Sequence, residues 1–121
     1  MTIQGHRSER IAEEIRNEVS LMLAGELKDP RLALPMIVSE VRVAPGMRAV
    51  HIFISFDGDE TPAERTAALA GLKAAAGFVR HELVERLRLR RAPEVIFIVD
   101  RAEVQGLRVD QLLRDVRKEE E

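Results

Sequence analysis

Five arginines, Arg80, Arg86, Arg88, Arg90 and Arg91, crowd twelve residues of this chain, opposed within that stretch only by Glu82 and Glu85. Guanidinium groups at this density suit phosphate oxygens, because each offers a planar fork of N–H donors and a permanent charge. If the stretch is helical, about 100° per residue puts Arg80, Arg88 and Arg91 within a sector of about 80° around Val84, and Glu82 and Glu85 project elsewhere. Val79, Leu83 and Leu87 form an apolar stripe beside that sector and should face a sheet. The alternative reading is that arginines near a helix C-terminus complement its dipole and solubilise the surface. Overall charge does not decide between them. Lys and Arg number 19 against 21 Asp and Glu, for a net charge of −2, so any nucleic-acid role must rest on local clustering.

Other chemistry has little support. His6, His51 and His81 include no pair at metal-ligand spacing and read as surface histidines. Asp57, Asp59 and Glu60 suggest a cation loop, but the calcium-loop pattern needs glycine at its sixth position, where Pro62 stands. A polar connection between strand and helix fits better. Ser8, Ser20, Ser39 and Ser55 lie outside any nucleophile-elbow context. The glycines form neither a dinucleotide fingerprint nor a phosphate-binding loop. Without cysteine, disulfides and thiolate metal sites are excluded. The expectation is a non-enzyme with neither metal nor cofactor. Phe53, Phe56, Phe78 and Phe97 are the only aromatics; Phe56 and Phe97 read as core, with Phe53 a further candidate. Recognition of unpaired bases by stacking is therefore disfavoured.

The elements that must position these residues follow from periodicity. Ile11, Ile15, Val19, Met22 and Leu23 recur at helical spacing over residues 6–27, and Asp29-Pro30 stops that helix. Residues 37–43 read as a strand with Ile37, Val41 and Val43 in phase, followed by a Pro45-Gly46 turn. In the strand at 49–56, Val50, Ile52, Ile54 and Phe56 point to one side, with Ala49, His51 and Ser55 on the other. Thr61-Pro62-Ala63-Glu64 is a capping box that opens a helical run to about residue 88. Gly77 in its middle costs roughly 1 kcal/mol relative to alanine, which suggests a bend near Ala75-Ala76-Gly77. Pro93 ends the run, residues 94–99 form a third strand, and Asp110 caps a short final helix bearing Leu112, Leu113 and Val116.

The order predicts an α+β domain over residues 1–118 with a mixed three-stranded sheet, and an acidic tail at 119–121. The helices should cover one face of the sheet and leave the other open to solvent. The longest strongly apolar run, Val95-Ile96-Phe97-Ile98-Val99, is too short to span a bilayer, and the charged first twenty residues do not suit a signal peptide. A soluble cytoplasmic protein is expected.

Four stretches together carry a family resemblance. These are Asp29-Pro30-Arg31, then Ala75-Ala76-Gly77-Phe78-Val79-Arg80, then the run from Leu87-Arg88-Leu89-Arg90-Arg91 through Pro93 to Phe97, and Gly106-Leu107-Arg108. In that order and spacing the chain resembles the ribosome-binding factor A family over about residues 7–116. The resemblance implies a type II KH-like fold in which an Ala-x-Gly kink, here Ala75-Ala76-Gly77, replaces the Gly-x-x-G loop that this sequence lacks. It also implies a monomeric, non-enzymatic factor that binds immature small ribosomal subunits and their ribosomal RNA, alongside other assembly factors and away from membranes. Support for late RNA processing and for growth in the cold comes with it, and Arg80, Arg86, Arg88, Arg90 and Arg91 become the candidate ribosomal RNA contacts. Two features depart from the family. Ala44-Pro45-Gly46-Met47 stands where members usually carry an aspartate, and an acidic C-terminus stands where some relatives have a long basic tail. Two other functions remain compatible with the residues: a protein–protein adaptor whose arginines only solubilise it, and a general single-strand RNA binder, which the missing Gly-x-x-G disfavours.

Overall fold

Apolar residues spaced by three and four wind the start of the chain into α1 (Ile3–Leu21), which buries Ile15 and Val19 completely. The computed structural model describes residues 3–100. The short helix expected at Asp110 and the acidic tail lie outside the described residues. The helix widens into a π-helical turn over Met22–Glu26, closed by the Leu27 N–H donating to the Met22 carbonyl at 3.0 Å. Met22 is buried there, so the expected run to residue 27 holds in extent but changes geometry.

Asp29-Pro30 then stops the helix by capping a 3-10 turn, Pro30–Leu32. The Asp29 carboxylate accepts the Arg31 backbone N–H at 2.9 Å and two side-chain bonds, from Arg31 Nε at 3.0 Å and Nη2 at 2.6 Å. The side-chain bonds from Arg31, then its backbone bond, hold the Asp29 carboxyl below the ordinary aspartate range. A depressed folded-state value stabilises the turn at neutral pH, and that contribution disappears as pH falls through it. An NMR titration should therefore find Asp29 titrating below ordinary aspartates, and Arg31→Ala should restore the ordinary value. An ordinary value in the unmutated protein would refute the pairing.

Beyond the turn, β1 (Met36–Val43) runs antiparallel to β2 (Ala49–Phe56), and β2 runs parallel to β3 (Glu94–Asp100), in spatial order β1-β2-β3. The expected phase of β1 needs correction. Val38 pairs with Ile54 but Glu40 pairs with Phe53, so Ser39 is an extra residue, a β-bulge. The bulge reverses the alternation: Val38 is buried while Ile37, expected inward, is 64% exposed. Ser39 Oγ donates to the Phe53 carbonyl at 3.1 Å.

In β2 the alternation holds, and Val50, Ile52 and Ile54 join the core beneath the helices. The opposite face, however, is not open at its centre. His51 and Phe53 are each only 2% exposed. As the middle strand, β2 has neighbours on both sides: His51 lies between Arg42 and Ile96, and Phe53 between Glu40 and Ile98. His51 is thus a buried histidine, not a surface one.

The second helix, α2 (Pro62–Leu87), opens on the expected capping box. Thr61 Oγ1 accepts the Glu64 N–H at 3.1 Å, and Glu64 Oε1 accepts the Thr61 N–H at 2.8 Å. The helix keeps one uninterrupted helical assignment through Ala75-Ala76-Gly77, the residues where a bend is expected. One glycine costs only about 1 kcal/mol, and Ala68, Leu72, Val79 and Leu83 anchor the helix to the core on both sides of it. Among the described residues, the glycine under packing constraint is Gly71. A Cβ there would stand 3.1 Å from Leu32 Cδ2 and 3.3 Å from Arg31 Cβ, so the missing side chain lets the Pro30–Leu32 turn rest on α2.

Candidate nucleic-acid interface

The arginines sort into three environments. α2 ends at Leu87, and Arg88 takes the left-handed conformation, φ 54° and ψ 51°. The Leu89 N–H donates to the Val84 carbonyl at 3.1 Å, closing the helix end. Leu89 packs against the core and Pro93 is fully buried, so both ends of the short connection to β3 are anchored. Arg90 and Arg91 are exposed between those anchors, and Arg88 is exposed just before the first. The expected helical row is therefore corrected: of Arg80, Arg88 and Arg91, only Arg80 lies within α2, exposed on its flank. The left-handed step at Arg88 and the proline at 93 explain why the helical period does not continue.

Arg86 occupies a different environment. Its Nε donates to Glu82 at 3.1 Å, Nη1 donates to Glu18 at 3.1 Å, and both Nη1 and Nη2 donate to Glu26. These bonds, Glu26 first and Glu18 next, hold its proton more tightly than in an ordinary arginine. A phosphate would have to compete with three carboxylates for this group. Its visible work is to tie the end of α1 and its π-turn to α2.

On α2 itself, Phe78 is 45% exposed beside the exposed Gly77, with Arg80 and His81 also exposed. Phe78 sits about 100° from Val79 and so off the Val79-Leu83-Leu87 stripe, which is the signal in the sequence for its exposure. Val79 and Leu83 are fully buried and Leu87 packs against the core, as that stripe requires.

The acidic connection lies at the other end of the sheet. Asp57 accepts the Asp59 N–H, Glu60 accepts the Gly58 N–H, and Arg65 pairs with Glu60 at 3.2 Å. These contacts make it a self-bonded polar loop. No group of three His, Cys, Asp or Glu placed to hold a metal occurs among the described residues, and among them no helix is long and apolar enough to cross a membrane.

The geometry on offer is an exposed, anchored arginine loop with Arg80 standing off on the adjoining helix. Residues 7–113 match the family model described as ribosome-binding factor A. A ribosome-binding factor A from Koribacter versatilis is 44% identical over 113 residues, 93% of this chain and 89% of that protein. One from Caldanaerobacter subterraneus subsp. tengcongensis is 34% identical over 95% of this chain and 93% of that protein. Among solved structures, a Thermotoga maritima protein described as a candidate ribosome binding factor A superposes with a TM-score of 0.64 at 31% identity. That match covers 76% of this chain and 85% of the other. The α+β fold with its mixed sheet is KH-like.

Proposed function

The chain belongs to the ribosome-binding factor A family, and from that premise we propose that it is a non-catalytic assembly factor for the small ribosomal subunit. It binds the immature subunit as a monomer in the cytoplasm, through ribosomal RNA, and supports late maturation and RNA processing, including in the cold. The single domain over residues 1–118 carries this role, beside other assembly factors, and the acidic tail at 119–121 takes no part in it. The mechanism is occupancy: the bound factor holds ribosomal RNA in one arrangement and blocks premature use of the subunit until it leaves.

The observation that carries this reading is the loop holding Arg88, Arg90 and Arg91. Its side chains are exposed while its backbone is anchored by Leu89 and Pro93. Contacts of this kind go to phosphates, so affinity must fall as salt rises. Co-sedimentation with precursor small subunits in sucrose gradients at two salt concentrations tests it. Salt-sensitive association confirms the reading. Association indifferent to salt would favour a protein–protein adaptor, and none at all would end both.

Arg88 offers a sharper separation of folding from binding. A residue with a Cβ in the left-handed region at a helix C-terminus is less stable than glycine by about 1 kcal/mol. Arg88→Gly is therefore expected to raise stability by up to about 1 kcal/mol while weakening subunit binding. A variant that is more stable and binds normally would remove Arg88 from the interface.

A further inference from the structure

Parallel pairing of β2 with β3 brings the starts of both strands to one end of the sheet. Ala49 pairs with Glu94, and the Glu94 N–H donates to the Arg48 carbonyl at 3.0 Å. The β1–β2 turn is thereby fastened to the end of the arginine loop. The turn has a defined shape: Gly46 has φ 72°, and the Met47 N–H donates to the Ala44 carbonyl at 3.0 Å. Arg48 follows, exposed, and its Nε donates to the Pro45 carbonyl at 3.2 Å, which holds the guanidinium against the turn.

Each of the two loops also holds one strained backbone position. Among the described residues, the non-glycine residues with positive φ are Met47 at 58° and Arg88 at 54°. They stand in the two loops that meet here. Side chains with a Cβ disfavour this conformation, so surrounding contacts must enforce it, and such positions cluster at functional sites. Charge agrees with the geometry. Residues 44–48 and 88–94 contribute Arg48, Arg88, Arg90 and Arg91 and contain no aromatic.

We propose that the β1–β2 turn is the second half of the phosphate-binding surface, and that Arg48 contacts the same RNA backbone as the arginine loop. This rests on the reading of that loop as a phosphate contact. The surface recognises the ribose–phosphate chain by charge and spacing and is indifferent to the bases, since neither loop offers a ring to stack on. The backbone bond from Glu94 to Arg48 sets the spacing between its two halves.

The test is a salt titration of binding to purified small ribosomal subunits for the unmutated protein, Arg48→Ala, Arg90→Ala and the double variant, with circular dichroism to confirm folding. Arg48→Ala is expected to weaken binding by about 3–10-fold and to reduce the magnitude of the salt slope by about 0.7–0.9, the share of one phosphate contact. The double variant should lose about twice that slope. Arg48→Gln carries the same measurement if the alanine variant loses its helical signal. If the Arg48 variants match the unmutated protein while Arg90→Ala weakens binding, the turn lies outside the surface and the proposal is wrong. If Arg90→Ala also changes nothing, the phosphate-binding reading of the loop falls first, and this proposal with it.

Discussion

Replacing Arg88, Arg90 and Arg91 together by glutamate is expected to abolish association with small ribosomal subunits while leaving the fold intact. All three side chains are exposed, and surface substitutions of this kind change stability by only a few tenths of a kcal/mol. Binding should respond far more strongly. Each phosphate contact releases condensed counterions, so losing three should flatten the salt dependence by about 2–3 units, and reversed charge adds repulsion. Two companions locate the effect. Arg80→Ala removes a charge on the helix flank rather than in the loop, and should cost no more than one contact's share of the slope. Arg86→Ala should lower the thermal midpoint and leave the slope alone, because Arg86 is occupied by Glu18, Glu26 and Glu82. The measurement is a salt titration of binding beside thermal unfolding. Equal affinities and slopes for the folded triple variant and the unmutated protein would leave the arginines as solubilising groups and make the adaptor the better reading.

Two glycines in one helix should respond to alanine with opposite signs. At Gly77 a new Cβ meets nothing within 4 Å, so Gly77→Ala gains helix propensity and should add about 0.5–1 kcal/mol. At Gly71 the new Cβ presses on Leu32 at 3.1 Å and on Arg31 at 3.3 Å. Neither neighbour can readily yield. Leu32 is buried in the core, and Arg31 is held by its backbone and side-chain bonds to Asp29. Overpacking at such a site costs typically about 1–3 kcal/mol, so Gly71→Ala should destabilise in spite of its better propensity. Urea unfolding of both variants measures the pair. A stabilised Gly71→Ala would mean that the Pro30–Leu32 turn shifts freely over α2. A destabilised Gly77→Ala would mean that Gly77 has a packing role absent from the structure.

The glycines also show what kind of information each level holds. Gly77 stood out in the sequence because it interrupts good helix formers, a local property. Gly71 did not, because its constraint comes from Leu32, thirty-nine positions away in the chain. Likewise the capping box at Thr61, the halt at Asp29-Pro30 and the alternation along β2 were legible, since each depends on residues within a few positions of one another. The element order and the mixed sheet followed from them. Tertiary structure decided the rest. The extra residue at Ser39 moved the inward position at the start of β1 from Ile37 to Val38 and left Val41 and Val43 on the core, which appears only when Val38 and Glu40 find their partners on β2. Burial of His51 and Phe53, on the face expected to be open, is likewise a property of the folded chain and not of the local alternation. Among the arginines, sequence determined the density of charge but not its use. Arg86 looked equivalent to its neighbours until folding brought Glu18 and Glu26 to it from sixty or more positions away. Arg48, far from the cluster in the chain, bonds through its carbonyl to Glu94 at the end of the arginine loop only because parallel strands begin at the same end of a sheet. A guanidinium takes its role from the oxygens that stand within about 3 Å of it, and in a folded chain those oxygens are set by the topology.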